Sequence, residues 1–169
     1  MNLLGEGSPT IILESGMGGC SLDWCHVQPE LSEMATVITY DRAGFGWSTP
    51  SLSEPTYQQY VDDLHLLLTT LDRKPPFLLV GHSYGGMIMR LFAATYPDEV
   101  MGLVLVDSTA IPRLMRMHIG SKRLPPEILK KARALGYRSS AYKSAYSELL
   151  NTGDSSIQLQ EHHNYLSLY

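Results

Sequence analysis

The sequence predicts an α/β domain with a parallel sheet, followed by a helical segment. Three observations favour this class: short apolar runs recur up to Val106, helix-like patterns separate them, and no further strand pattern follows. A length of 169 residues, with 44% hydrophobic and 18% charged residues, fits one globular domain with a sizeable core.

Four apolar runs predict the strands of this sheet. None of them alternates polar with apolar residues, which is typical of strands that are buried on both faces of a parallel sheet. The runs are Thr10–Leu13, Val37–Tyr40, Phe77–Val80 and Leu103–Val106. The opening residues, "MNLLGEGSPT", have the pattern of the end of a preceding hairpin.

Helical patterns lie between the later strands. Tyr57–Leu71 has one apolar stripe at a period of 3.6 residues, and Thr56 with Gln59 predicts a capping box at its start. A second helix is predicted over Gly85–Tyr96, ended by Pro97, with its apolar residues facing inward. Strands that alternate with helices in this way favour right-handed crossovers.

The remainder of the chain, residues 111–169, predicts only helices. Nine of the 13 Lys and Arg residues lie beyond Ile111. A nucleic-acid surface is one interpretation of this segment. However, its positive residues are spread among helical patterns without an aromatic stacking motif, so we expect a basic segment over an acidic core and no nucleic-acid partner.

Composition argues against several other classes. No apolar run approaches the roughly 20 residues that a membrane-spanning helix needs, so we expect no membrane span. The opening lacks a basic leader followed by an apolar stretch, which favours a cytoplasmic protein or one whose leader has been removed. Two cysteines, Cys20 and Cys25, are too few for a disulfide framework and have no partners at zinc-ligand spacing. We therefore expect ordinary thiols and no metal site.

The segment "GHSYGG", Gly81–Gly86, carries the strongest functional signal. It has the spacing of a serine nucleophile on a sharp turn between a strand and a helix. Two further motifs, "ESGMGG" over Glu14–Gly19 and "DRAGFGWS" over Asp41–Ser48, each follow their own predicted strand. In this order the three motifs resemble the α/β-hydrolase superfamily.

This resemblance implies a division of the chain. Residues 1–110 resemble the N-terminal half of an α/β-hydrolase core, and residues 111–169 resemble the start of a helical cap domain. The chain therefore has the pattern of a protein truncated inside its cap. In the family order the Phe77–Val80 strand is central and Leu103–Val106 lies beside it as an exposed edge, which predicts self-association or a missing C-terminal half.

The candidate catalytic residue is Ser83. Its hydroxyl would be lifted above the sheet by the turn, and the helix that begins at Tyr84 points its free N–H groups at the same place. The Tyr84 backbone N–H would donate to a tetrahedral oxyanion there. The resemblance implies a second oxyanion-hole donor, the backbone N–H of Met17. Ser15 departs from the histidine that is more usual in this loop, but the donor is a backbone group.

Each of these residues also has a purely structural interpretation. Ser83 could be a turn serine, and His82, although adjacent to it, is expected to be a packed or supporting histidine rather than its base. "DRAGFGWS" is expected to shape a turn, with Asp41 or Arg42 bracing neighbouring loops. His118, His162 and His163 are expected on the surface or in the cap.

The resemblance implies a triad in the order serine, acid, histidine, and the histidine is expected beyond this chain. Asp107 stands where some family members place the acid, but it also suits a strand end whose side chain braces the next loop. Without a base to accept its proton, a serine hydroxyl is a poor nucleophile at neutral pH.

Together these patterns predict a serine hydrolase acting on a small-molecule acyl substrate through an acyl-enzyme on Ser83, without a cofactor. A carboxylic ester is the expected substrate, with an amide or thioester open to the same route. We expect the parent protein to be the enzyme, whereas activity of the 169-residue chain alone is left open. The alternative is a non-catalytic fragment, pseudoenzyme or binding module that retains the turn.

Overall fold

The computed structural model describes residues 1–52 and 55–108. Its strands are β1 (Asn2–Leu4), β2 (Thr10–Glu14), β3 (Thr36–Thr39), β4 (Phe77–His82) and β5 (Val100–Val106). Its α-helices are α1 (Val27–Ser32), α2 (Tyr57–Thr70) and α3 (Tyr84–Thr95), and short 3-10 helices cover Ser21–Trp24 and Pro97–Glu99. The helices predicted for residues 111–169, and the domain boundary proposed at residue 110, lie outside the described residues.

The described strands form one sheet in the order β1-β3-β2-β4-β5. The pairs β2–β3, β2–β4 and β4–β5 are parallel, which confirms the predicted parallel sheet. β1 is antiparallel and pairs with β3, so it is not a hairpin partner of β2. β4 is an interior strand between β2 and β5, and within the described part of the chain β5 is an edge.

The predicted helices form as the apolar pattern requires. The stripe of α2 buries Tyr57, Tyr60, Val61, Leu64 and Leu68. The Thr56 hydroxyl accepts a hydrogen bond from the Gln59 backbone N–H at 3.1 Å. The Gln59 side chain turns instead to Asp63, to whose Oδ1 it donates at 2.9 Å, so the structure shows one half of the predicted capping box.

Helix α3 runs through the main core. Ile88, Leu91 and Phe92, which the sequence predicts to face inward, are fully buried. The α3 side chains pack with those of α2 and with β-strand residues such as Ile12 and Leu79. A second cluster on the other side of the sheet includes Leu13, Trp24 and Val37. The sheet is therefore covered on both faces, and the carboxyl ends of β2, β3 and β4 meet at one edge, where the three sequence motifs lie.

Candidate active site

Ser83 lies at the junction between a strand and a helix. β4 ends at His82 and α3 begins at Tyr84, so a single residue makes the turn. Its backbone has φ 51° and ψ −117°, outside the conformations that residues with a side chain ordinarily adopt. Backbone strain of this kind costs about 1–3 kcal/mol and persists only where surrounding contacts hold it.

Contacts on both sides of the Ser83 peptide hold this conformation. The Ser83 N–H donates to the carbonyl of Val106 on β5 at 3.0 Å. The Ser83 carbonyl accepts from the Gly86 N–H at 3.0 Å and from the Ser108 hydroxyl at 3.0 Å. The turn is therefore tied to the carboxyl end of β5 as well as to its own helix.

The two glycines of the motif permit close backbone approach. A Cβ on Gly81 would lie 2.5 Å from the Cα of Gly86, where the strand passes the first turn of α3. A Cβ on Gly85 would lie 2.5 Å from the Ser15 carbonyl oxygen and 2.7 Å from that of Glu14. Glycine at these positions allows β4, α3 and the end of β2 to converge on Ser83.

The loop after β2 lies directly against this turn. A Cβ on Gly16 would lie 3.5 Å from the Ser83 Cβ and 2.9 Å from Nδ1 of His82. Internal hydrogen bonds close the loop: the Gly19 N–H donates to the Gly16 carbonyl at 3.1 Å, and the Ser15 hydroxyl donates to the Cys20 carbonyl at 2.8 Å. Met17 directly follows Gly16, so the peptide that carries its N–H begins at the point of contact with the Ser83 turn.

Arg42 holds this loop through hydrogen bonds to its backbone carbonyls. Its Nη1 forms a buried ion pair with Oε1 of Glu14 at 2.5 Å and also donates to the Ser15 carbonyl at 2.8 Å. Its Nη2 donates to the Gly16 carbonyl at 2.8 Å. Both side chains of the ion pair are 1% exposed, so the full charge of each is compensated inside the protein.

Aromatic rings enclose the same guanidinium. Its Cζ lies 5.1 Å from the ring centre of Phe45, and 5.4 Å from those of Tyr60 and Tyr84. Cations within about 6 Å of a ring centre are attracted to its π face. Because Tyr84 directly follows Ser83, Arg42 contacts both the loop of Met17 and the turn of Ser83.

Asp41 braces the other motif loop. Its Oδ1 accepts from the Ser21 N–H at 2.7 Å, and its Oδ2 accepts from the Trp47 N–H at 3.1 Å. The Ser48 hydroxyl donates to the Asp41 carbonyl at 2.7 Å. Gly46 has φ 50°, and a Cβ there would lie 2.4 Å from the Asp41 carboxyl carbon. These contacts agree with the predicted bracing role of "DRAGFGWS".

Burial controls the ionisation of groups around the loop. Desolvation, followed by the Glu14 charge, raises the pKa of Tyr40 well above its ordinary value, so its hydroxyl remains a donor to Oε2 of Glu14. Burial likewise raises the pKa of Cys20 to about 12, which keeps it a thiol at neutral pH. Asp23 is exposed as a whole residue, and its carboxylate accepts a hydrogen bond from the Cys20 N–H at 3.2 Å. Desolvation of this carboxyl group raises its pKa.

The structure places the predicted site residues as follows. Ser83, Tyr84 and the Gly16–Met17 peptide lie at one edge of the sheet, where the ring of His82 contacts Gly16. Asp107 directly follows β5, is exposed, and has a φ of 48°. Those predictions that concern His118, His162 and His163 lie outside the described residues.

Two other described histidines lie elsewhere. His65 on α2 stacks on Tyr96 with ring centres 4.0 Å apart, and its Nε2 lies 3.2 Å from Oε1 of Glu99. His26 precedes α1 and is exposed. His65 therefore joins α2 to the end of α3 rather than to the turn of Ser83.

Sequence reasoning missed Glu14 and Tyr40 as partners in this site. It identified Arg42 as a brace but did not find the buried carboxylate that pairs with it. The available signal was a glutamate at the end of the apolar strand "TIILE", because a buried carboxylate requires a cation or several donors. The partner itself depends on the β2–β3 pairing, which composition does not reveal.

Across residues 1–52 and 55–108, no group of His, Cys, Asp and Glu side chains is arranged to hold a metal ion. None of the helices in these ranges is long and apolar enough to cross a membrane.

Comparisons with known proteins bear on the fold and the family. The family model described as "alpha/beta hydrolase fold" matches residues 9–148. An uncharacterized protein of Bacillus subtilis strain 168, YqjL, is 39% identical over 103 residues, which cover 61% of this chain and 41% of that protein. The chain thus spans less than half the length of this curated relative.

Two solved structures show the range of related proteins. A thermophilic esterase from Thermogutta terrifontis is 26% identical, with a TM-score of 0.69 over 85% of this chain and 63% of the esterase. The epoxide hydrolase CorEH is 19% identical, with a TM-score of 0.71 over 85% of this chain and 65% of CorEH. The second likeness concerns the fold alone, and the names of the two proteins denote different reactions on a shared architecture.

Proposed function

Because the chain belongs to the α/β-hydrolase family, whose members are hydrolases, we propose that it carries the nucleophile half of a serine hydrolase. The reaction is the hydrolysis of an acyl substrate through an acyl-enzyme on Ser83. A carboxylic ester is the favoured substrate, and an amide or thioester would follow the same route. The proposal concerns the whole protein, of which this chain supplies the nucleophile and the oxyanion site.

The single observation that carries the proposal is the backbone of Ser83. A serine with φ 51° at a strand-to-helix junction stores strain that an ordinary turn residue, such as glycine, would relieve. The family fold and the convergence of two glycine positions on the same point support a functional reason for keeping a serine there. Ser83 is half-buried, and we propose that its hydroxyl faces the substrate.

The proposed chemistry has two steps. In the first, Ser83 Oγ attacks the substrate carbonyl carbon and loses its proton to a base, and the resulting oxyanion accepts hydrogen bonds from the N–H groups of Tyr84 and Met17. Collapse of this intermediate expels the protonated alcohol, amine or thiol and leaves the acyl group on Ser83. In the second, water attacks the acyl carbon, the free acid leaves, and the proton returns to Ser83 Oγ.

The base and its orienting acid complete this scheme. We propose that a histidine beyond this chain serves as the base, and Asp107 remains a candidate for the acid because it follows β5 at the same edge of the sheet. The first turn of α3 adds its positive dipole end at the oxyanion. No cofactor enters the proposed steps.

Turnover of activated aryl esters tests the proposal. An oxyanion hole and binding alone can leave roughly 10³ to 10⁴ over the rate in water when triad members are removed. We therefore expect the isolated chain to hydrolyse a p-nitrophenyl acyl ester feebly, with little change on Ser83→Ala. The same chain joined to the C-terminal part of its full-length protein should turn over the ester, and Ser83→Ala should abolish this gain.

Two outcomes would count against the scheme. Fast turnover by the isolated chain, lost on Ser83→Ala, would require a base within the chain. A full-length protein that neither turns over the ester nor reacts at Ser83 would favour the alternative, a non-catalytic binding module that retains the turn as scaffold.

A further inference from the structure

Arg42 makes contacts that exceed the needs of an ion pair. Glu14 occupies one face of the guanidinium fork through Nη1 at 2.5 Å. The other donors reach two successive backbone carbonyls, those of Ser15 and Gly16, both at 2.8 Å. Because a guanidinium is planar and its donors are fixed relative to one another, these bonds set the orientation of the two peptide planes.

The second of these planes carries the proposed oxyanion donor. In a trans peptide the carbonyl and the N–H of the next residue are coplanar and point in opposite directions. When Nη2 of Arg42 holds the Gly16 carbonyl, the Met17 N–H therefore points away from the guanidinium. The Gly19 N–H donates to the same carbonyl at 3.1 Å, so both acceptor positions of the Gly16 oxygen are used and rotation of the plane is opposed.

Ser83 lies against Gly16, which is itself buried. A Cβ on Gly16 would lie 3.5 Å from the Ser83 Cβ. The Arg42 guanidinium, which holds the loop through its carbonyls, lies 5.4 Å from the ring centre of Tyr84. The Gly16–Met17 peptide is thus held between a buried cation and the turn.

From these contacts we propose that Arg42 is a positioning residue that aims the Met17 N–H at the oxyanion formed on Ser83. This inference rests on the proposed acyl-enzyme function, since the oxyanion exists only if Ser83 attacks a substrate. Arg42 is 3% exposed and touches no reacting atom in this scheme, so its effect passes through the peptide.

Two measurements on the full-length protein separate positioning from mere support of the fold. The first is the direction of the Met17 N–H vector, obtained from residual dipolar couplings, which requires no reaction. The second is labelling of Ser83 by a fluorophosphonate, resolved into the apparent binding constant and the maximal rate. A fold defect would lower the fraction of protein molecules that can be labelled. A Met17 N–H that points away from the oxyanion would instead lower the maximal labelling rate of every molecule.

The variants are chosen to keep the chain folded. Arg42→Lys retains the charge but cannot donate to Glu14 and both carbonyls in one plane. The double variant Arg42→Gln with Glu14→Gln removes both charges, so no carboxylate is left buried and unpaired. Arg90→Gln, on α3, is the matched arginine control.

We expect a graded loss that follows the carbonyl contacts. The maximal labelling rate should fall about 10-fold in Arg42→Lys and about 100-fold in the double variant, with the apparent binding constant unchanged. The Met17 N–H vector should turn in both. Arg90→Gln should stay within about threefold of the parent rate, because the Gly16 peptide remains held.

Each contrary result has its own meaning. An unchanged Met17 vector, or equal rates in Arg90→Gln and in the double variant, would overturn the positioning role and leave Ser83 as nucleophile. Absence of any label on Ser83 in the unsubstituted full-length protein would overturn the acyl-enzyme proposal and the inference that rests on it, whatever the vector does.

Discussion

The two flanks of Ser83 are built in different ways. On the β2–β3 flank, a buried ion pair, two arginine-to-carbonyl hydrogen bonds and a ring of aromatic side chains hold the loop over residues 14–20. On the β5 flank, the turn is tied by one backbone bond to Val106 and one hydroxyl bond from Ser108. Three successive side chains there, Val104, Leu105 and Val106, are 45%, 37% and 41% exposed.

From this difference we infer that the described residues would support charge stabilisation in the proposed chemistry rather than proton transfer. The braced flank holds the groups that would stabilise negative charge, and such groups work only if they are fixed before the reaction. Asp107 follows β5 on the other flank. In the proposed scheme, the histidine base and its orienting acid would lie on this side of Ser83. In the proposed scheme, the oxyanion donors and the base therefore lie on opposite sides of the same serine.

The largest expected effect is the loss of Arg42. Arg42→Gln leaves the carboxylate of Glu14 buried without its cation, which should lower the free energy of unfolding by about 3–5 kcal/mol. Urea denaturation followed by circular dichroism measures the change, with Arg90→Gln as control. A loss as small as that of Arg90→Gln would remove the proposed contrast between the flanks.

Burial of Cys20 in the braced loop should slow the reaction of its thiol with disulfide reagents. The thiolate is the reactive form, and with the pKa raised from 9.0 to about 12 its fraction at pH 9 falls from one half to about one in a thousand. Cys25→Ser, which leaves Cys20, should thus react with a disulfide reagent about 500-fold more slowly at pH 9 when folded than in denaturant. Below the raised pKa, the reactivity of folded Cys20 should rise about tenfold per pH unit and continue to rise above pH 9, where that of an ordinary thiol levels off.

Cys20→Ser, which leaves Cys25, provides the comparison for this measurement. Burial also raises the pKa of Cys25, so some protection is expected there. Equal rates for folded and denatured Cys25→Ser would show that water reaches the braced loop.

A pair of glycines compares the packing of the two flanks. Gly85→Ala brings a Cβ to 2.5 Å from the Ser15 carbonyl oxygen, a backbone atom, whereas in Gly102→Ala on β5 the Cβ meets only the end of the Leu78 side chain, at 3.0 Å. We expect Gly85→Ala to cost about 1–3 kcal/mol of unfolding free energy and Gly102→Ala clearly less, because a side-chain end can move aside. Equal losses in thermal melts would contradict the comparison.

The smallest expected change in stability lies on the β5 edge. Val104→Lys replaces an exposed apolar side chain and should alter the unfolding free energy by no more than about 0.5 kcal/mol. Its effect should instead appear in association, since an exposed apolar edge strand favours pairing between chains and a lysine disfavours it. Sedimentation velocity should show oligomers in the parent chain and fewer in the variant. A parent chain that is monomeric at high concentration would refute the expected self-association.

The sequence predicts the fold better than the site because the two depend on different distances along the chain. Continuous apolar runs and the stripe of α2 are local patterns, and the structure confirms the parallel pairing of β2, β3, β4 and β5 that they predict. The elbow spacing around Ser83 is also local, and the residue has the expected unusual backbone.

The partners of Arg42 could not be read in the same way. Its contact with Glu14 joins residues 28 positions apart, and those with the Ser15 and Gly16 carbonyls involve backbone atoms that any residue type would supply. Even the local cap prediction at Thr56 was only half right, because Asp63, one turn further on, competes for the Gln59 side chain. Side-chain partners depend on which elements pack together, and a single sequence does not give that.

The most direct test of the central claim is the site of covalent reaction. The full-length protein is treated with a fluorophosphonate, and the adduct is located by peptide mass spectrometry, with Ser83→Ala and the surface control Ser32→Ala treated in parallel. We expect one adduct, on Ser83, that is absent in Ser83→Ala and retained in Ser32→Ala. An adduct on another residue, or equal labelling of Ser83→Ala, would contradict the claim that the strained turn presents a nucleophile.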